Sequence, residues 1–399
     1  MRFTLLIFLF CSFSTLDDSL NAAELYQADG EIVRGKLIQF KQNLFTIETN
    51  SGKRRFRAAE TIRVQTGNPL VTYPREGVVI LANDDRIHAE LLRSEDDYVF
   101  VRSVSCPEIK ELKIPLETIQ AACFRWPTNH QMQTQLIQKL AGKNQKSDLF
   151  YLNNGDNLEG ELLGFDTRVF RFETRAGETE VPRKGIRFFT INPELINFPQ
   201  PNQLHYRIAL TNGSRVTVSS LTLDKNTITA KTIFGAELHC NVKHLVSITP
   251  LGGQVVPLSK LKPTGYHFIP YFSQTWGWHR NRNVLSGPLR VGGIEFATGL
   301  GMHSAAELRY KLDGKYAAFQ TEVGIDDSTQ GKGNVDVVIT VDQRIVFQRA
   351  IRGASQSAVV VPRIDLSGVK ELVLKIEFGK NADIQDHVNW CRPVLILQK

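Results

Sequence analysis

The chain has 399 residues, too many for one ordinary hydrophobic core and suited to two to four domains. With 42% hydrophobic and 22% charged residues, the composition excludes a disordered chain and a membrane-rich one. The formal charge of +7 favours anionic polymers or surfaces as partners, although the basic residues are spread along the chain and the densest group, Lys53 to Arg57, reads as a solvated turn and strand.

Arg2 precedes a nearly unbroken apolar run from Phe3 to Phe13, and the small residues Ala22 and Ala23 follow. This is the pattern of a secretory signal peptide over residues 1–23, with cleavage expected after Ala23. The run is shorter than the roughly 20 residues a membrane helix needs, so no membrane span is expected after cleavage. An uncleaved anchor is the alternative. Bulky Phe8, Leu9 and Phe10 argue against lipidation at Cys11. Loss of Arg2, Asp17 and Asp18 with the leader raises the formal charge from +7 to +8. The mature protein is expected to be secreted, periplasmic or at the cell surface, where nucleic acid is not an expected partner. Export permits disulfides. Cys106 and Cys123 are candidates to pair, whereas Cys240 and Cys391 read as isolated buried thiols. No C-x-x-C spacing supports a zinc site.

An internal repeat organises the first 250 residues. Residues 29–52 and 154–177 align without a gap at an offset of 125, matching Gly30 with Gly155, Gly35 with Gly160, Phe45 with Phe170 and Gly52 with Gly177. A third copy lies 58 residues further on, with Gly213 and Gly235 in register, and a diverged one begins at Leu81 with Asp84 at the glycine position. Copies therefore start near residues 26, 79, 150 and 207. In each, a strand ends in Asn-Gly, Asp-Gly or Asn-Asp, residues that tolerate positive φ, and alternating strands follow. The fold class is all-β, with tandem small β-barrel-like repeats resembling SH3-like or Sm-like barrels over residues 24–128 and 147–250. Between them, at 129–146, Met132, Leu136, Ile137 and Leu140 fall at helical spacing and predict a linker helix. Residues 192–203 and 250–265 read as connectors.

From about Tyr271 aromatics and glycines cluster, and the alternation in 335–341 and 371–378 predicts longer strands of a jelly-roll sandwich over 266–399. A sugar site needs aromatic faces and a few fixed polar groups in a concave setting. Trp276, Trp278, His303, Asp326, Asp327, Asp386, His387 and Trp390 are the candidates. The plainer readings are a core position for Trp390, a hydrogen-bonded structural role for His303, and turn capping for Asp326 and Asp327. A Ca²⁺ ion held by Asp326, Asp327 and Asp336 is a further alternative, and no other cofactor is indicated. The glycines at 299 and 301 form no phosphate loop, because no Lys-Ser/Thr and no helix follow.

This segment resembles the NPCBM/NEW2 domain, a carbohydrate-binding module attached to bacterial glycoside hydrolases and other exported proteins. The likeness is carried by Ser286-Gly287-Pro288-Leu289, Gly292-Gly293, Gly299-Leu300-Gly301-Met302-His303, Phe319 through Asp327, Gly333-Asn334-Val335 with Val341-Asp342, and Asp386-His387 with Trp390. It implies a galactose-binding-like β-sandwich and a sugar-related role, with carbohydrate or cell-envelope polysaccharide as partner. No H-E-x-x-H or G-x-S-x-G is present, and nothing beyond residue type supports Asp326 and Asp386 as a glycosidase pair, so the protein is not expected to be an enzyme. Two alternatives stay open: a cell-envelope scaffold whose repeats bind proteins, and an accessory part of a glycan-degrading system.

Overall fold

The computed structural model describes residues 22–68, 70, 76–104, 106–140, 145–353 and 357–398. The leader expected over 1–23 lies almost wholly outside these. Ala22 and Ala23 open the first strand, and Ala23 is buried there, so cleavage after Ala23 would clip that strand. Apart from one α-helix the described residues form strands, turns and short 3-10 segments, as the alternating patterns require. No helix among them is long and apolar enough to cross a membrane.

The four sequence copies are four units of one topology. Their first strands are Ala22–Gln27, Gly77–Leu81, Asp148–Leu152 and His205–Leu210. Each pairs with both the second and the fifth strand of its own unit. The second strands, Ile32–Lys41, Arg86–Glu95, Asn157–Phe165 and Arg215–Asp224, each carry a register shift, at Leu37/Gln39, Leu91/Arg93, Leu162/Gly164 and Val218/Ser220. A bulge bends and twists a strand. Recurring at the same stage of every copy, it turns the second half of the unit over its own apolar face. A 3-10 turn precedes every fifth strand. The fifth strands then join units: Thr61–Thr66 pairs with Leu245–Leu251, and Ile119–Cys123 with Ile186–Thr190. One apolar cluster runs through all four units, including Phe45, Val99, Phe170 and Ile228. Stacking supplies the core that a unit of this size cannot bury alone.

The helix between the second and third units is His130–Leu140, shorter than the expected 129–146. Asn129 caps it, its Oδ1 accepting from the amides of Gln131 and Met132. Leu136, Ile137 and Leu140 are buried, while Met132 is exposed. Cys106, Cys123, Cys240 and Cys391 are buried thiols outside any disulfide, so Cys106 and Cys123 are not bonded to each other. Their burial pushes the Cys123 thiol up to about 11.

The C-terminal region is a jelly-roll-like sandwich of two sheets. One is ordered His279–Arg280, Gly299–His303, His387–Leu397, Tyr316–Ile325, Val359–Val360; the other Gly265–Phe268, Ala306–Lys311, Glu371–Phe378, Asn334–Val341, Arg344–Arg352. Leu300, Met302, Phe319, Val337, Leu374 and Trp390 fill the space between them. The sandwich begins before the expected residue 266. Val255–Pro257, read as connector from its prolines and glycines, pairs with His387–Leu397, and Leu258 is in the core.

Buried ion pairs fix the sandwich to the repeats. Glu295 meets Arg86 of the second unit at 2.7 Å, Arg215 of the fourth at 3.2 Å and its neighbour Arg290 at 2.8 Å. Burial disfavours its charge, but the three guanidiniums outweigh that and hold the carboxyl below the usual range. Glu322 takes Arg63 of the first unit at 3.2 Å and Arg392 at 2.9 Å. From the helix, Gln133 accepts from Arg290 and Gln138 donates to the Leu285 carbonyl.

Candidate functional site

Two strands and one strap make the site. Gly299–His303 lies antiparallel to His387–Leu397 with His303 opposite His387, Gly301 opposite Asn389 and Gly299 opposite Cys391. Side chains alternate across a strand. His387 and Asn389 therefore share one face, and Val388 and Trp390 the other. The second face is the core. A Cβ on Gly299 would stand 2.4 Å from the Trp390 carbonyl oxygen, and one on Gly301 2.4 Å from that of Arg282. Only glycine admits such close backbone approach, which explains the Gly-Leu-Gly spacing before the histidine.

The strap running into His279–Arg280 lays Trp276 on this pair of imidazoles. Its ring is parallel to that of His303, with 4.6 Å between centroids and 2° between planes, and lies 5.6 Å from His387. The two imidazoles are themselves 5.6 Å apart. Beside them opens a hollow of about 500 Å³, lined further by Gln274, Ser328, Asp383, Ile384 and Gln385. Trp276 is half-buried and Gln274 exposed, so this wall faces solvent.

The polar groups are held from behind. His303 Nδ1 lies 2.7 Å from the Ser304 carbonyl and must donate to it, leaving Nε2 the free lone pair of the neutral ring. Ser328 Oγ is 3.3 Å from His387 Nδ1. Burial brings His387 down to about 4 and lowers His303 as well, so both rings are neutral at pH 7. Asp386 accepts from Ser304 Oγ at 2.6 Å and from the Asn334 amide at 2.8 Å. Its burial pushes the carboxyl up to about 6. The loop that carries Asp383 and Gln385 holds Ala382 and Gln385 at φ 56° and 58°, a left-handed conformation that non-glycine residues adopt only when the surroundings impose it.

Of the eight sequence candidates, the structure gathers Trp276, His303 and His387 around one hollow, with Asp386 buttressing it. The others lie elsewhere. Trp390 is completely buried, a core residue by strand parity and not a ligand platform. Asp326 is 1% exposed. It accepts from Asn283, Asn389 and the Ser328 and Arg290 amides, so it is a structural hub and not a contact for ligand. Asp327 spends both oxygens on the amides of Gly292 and Gly293, fixing the Leu289–Val291/Ile294–Phe296 hairpin. Asp386 is fully buried and offers no oxygen to a ligand. Trp278 lines a separate hollow. Asp336, weighed with Asp326 and Asp327 for Ca²⁺, pairs with Arg352 at 2.8 Å, and among the described residues no group of three or more His, Cys, Asp or Glu is placed together. Gln274, Ser328, Asp383 and Gln385 were not singled out in the sequence. The alternating polar residues Asn381, Asp383 and Gln385 just before Asp386-His387 are the available signal for two of them.

Residues 256–396 match the family model described as the NPCBM/NEW2 domain, in agreement with the resemblance read from the motifs. A 91-residue stretch is 32% identical to a protein of Renibacterium salmoninarum named "Putative endo-alpha-N-acetylgalactosaminidase", covering 22% of this chain and 6% of that one. The chain thus spans only a small fraction of this curated relative. Among solved structures, a CBM51 module of a Clostridium perfringens GH95 protein, in complex with methyl-galactose, is 20% identical over 35% of this chain and 99% of that one, with a TM-score of 0.32. Tandem CBM51 modules of a family 98 glycoside hydrolase from Streptococcus pneumoniae are 11% identical over 80% of this chain and 88% of that one, also with a TM-score of 0.32.

Proposed function

We propose that this is an exported, non-catalytic protein that binds carbohydrate in the Trp276–His303–His387 hollow. The observation that carries the reading is the indole of Trp276, braced flat on His303 at the rim of a concavity lined by amide, hydroxyl and carboxylate groups. A braced aromatic face suits C–H stacking of a pyranose ring, and the polar rim suits its hydroxyls. The family match over the same segment supports a sugar ligand. The carboxylates favour binding over hydrolysis. Hydrolysis of a glycosidic bond ordinarily takes two carboxyl groups facing the substrate, whereas Asp383 lines the hollow and the nearby Asp386 is sealed behind it. The repeats are the rigid carrier in this reading.

A panel of immobilised glycans tests it. The wild-type chain is expected to be retained by a subset, and Trp276→Ala to weaken that retention at least tenfold with the fold intact by circular dichroism. No retention on any glycan, or retention untouched by Trp276→Ala, would overturn the assignment. Capture of cell-envelope proteins by a chain that ignores all glycans would favour the scaffold alternative.

A further inference from the structure

We propose that the hollow around Trp278 is a second binding site, for the carboxylate or sulfate group of an acidic polysaccharide. It is an open concavity of about 610 Å³ on the sandwich, and its lining includes Lys260, Lys262, Arg280, Tyr266 and Trp278. Three cations converge there, and no carboxylate is among the lining residues. None of the three forms an ion pair among the described residues; Arg280 donates to the Leu261 carbonyl at 3.4 Å, and it differs in this from Arg34, Arg54, Arg93, Arg102, Arg282 and Arg352, each of which sits beside a Glu or Asp. All three are exposed, and their summed positive charge attracts an anion that enters the hollow. Partial burial, and then Arg207 nearby, hold the Lys260 ammonium below its ordinary range. Trp278 is half-buried against the sandwich core and supplies an aromatic wall beside the charges.

The two hollows are joined by backbone. Trp276 and Trp278 are two residues apart on one strap, and Tyr266, which lines the basic hollow, donates from its hydroxyl to the Trp276 carbonyl at 2.7 Å. Each indole therefore serves a different concavity, and the strap fixes their separation. A polymer whose neutral residue stacks on Trp276 finds a cationic site along the same surface. The basic hollow binds an acidic sugar whether or not the first hollow is filled, so it stands apart from the reading above.

Affinity electrophoresis of the full chain separates the cases. Gels carry polygalacturonate, dextran sulfate or uncharged dextran. The wild-type chain is expected to be retarded by at least one of the acidic polymers and not by dextran, and the acidic polymer that retards it more identifies carboxylate or sulfate as the preferred group. Lys260→Gln/Lys262→Gln/Arg280→Gln should weaken that retardation at least tenfold, and Trp278→Ala about threefold. A matched variant, Lys53→Gln/Arg55→Gln/Lys184→Gln, removes three exposed cations elsewhere, and should weaken it less than threefold. Equal losses from the two triple variants would show unspecific attraction to a basic protein and overturn the proposal, as would equal mobility of the wild type in acidic and neutral gels. Retention of the triple variants on neutral glycans, read in parallel, reports on the Trp276 hollow alone.

Discussion

The repeats and the sandwich use aromatic rings in opposite ways. In the third unit Phe165 and Phe170 stack at 4.6 Å and 6°, Phe150 and Phe172 at 4.6 Å and 17°, and all four are buried. The Arg183 guanidinium lies 5.7 Å from the Phe165 centroid, but otherwise the rings meet one another and contribute mainly transfer and packing energy. In the sandwich, Trp276 stacks as closely but on a histidine, at the rim of a hollow, with part of its face open. A ring on a ring makes a core. A half-exposed ring braced on a buried, hydrogen-bonded imidazole makes a platform, at the cost of apolar area left in water. Both regions have packed cores, and in the proposed reading recognition falls to the sandwich.

Four substitutions break or sharpen that contrast. The largest effect is expected from Phe170→Ala, which opens a cavity among stacked rings and should cost about 4 kcal/mol in urea unfolding. It should leave glycan retention unchanged at temperatures where the chain is folded. Next comes the junction. Glu295→Gln leaves Arg86, Arg215 and Arg290 without their counter-charge, and breaking a buried pair of this kind costs about 3 kcal/mol. We expect calorimetry to show the sandwich and the repeats melting apart in this variant, and a single unchanged transition would show that the Glu295 cluster does not hold the junction. Trp276→Ala inverts the pattern, with tenfold or more lost in binding, about 1.4 kcal/mol, and less than about 1 kcal/mol in stability.

The smallest effect is a pH dependence. Asp386 titrates at about 6 in the fold against 3.8 in the ordinary carboxyl. Between those values the folded chain keeps a proton that the unfolded chain has lost, so this group makes stability fall as pH rises, and its penalty is complete above pH 6. His387 works the other way: lowered from 6.5 to about 4, it makes stability rise with pH between those values. The two largely offset each other in the native chain. Asp386→Asn keeps the oxygen that accepts from Asn334 and removes only the first contribution. Its stability should therefore climb more steeply from pH 4 to pH 6.5 than that of the wild type, by on the order of 1 kcal/mol. Parallel pH profiles would show instead that Asp386 is ionised throughout.

Much of this architecture was legible in the sequence, because repeats and alternation are local signals. The offsets of 125 and 58 residues located three of the four copies through their turn glycines, and Gly30, Gly155 and Gly213 do stand at φ 98°, 96° and 89°. Asp84, at φ 67°, takes the same role in the fourth. The site was half legible. His303 and His387 were named, but their pairing is a matter of register between strands 84 residues apart in sequence, which no local pattern encodes. Strand parity was available and unused, since His387 and Trp390 are an odd number apart and cannot share a face. Asp326 and Asp327 carried the right chemistry for a ligand and spend it on backbone amides and, for Asp326, on the side-chain amides of Asn283 and Asn389. Sequence shows a carboxylate, but only the fold shows how many donors already hold it. Val255–Pro257 hid behind its prolines and glycines because it is a three-residue edge strand.

The most direct test is a crystal of the full chain soaked with a saccharide that the glycan panel retains. The sugar ring is expected to lie against the open face of Trp276, with hydroxyls within hydrogen-bond distance of Asp383, Gln385 or His387. Density for the sugar on any other surface, with the Trp276 hollow left empty, would contradict the account.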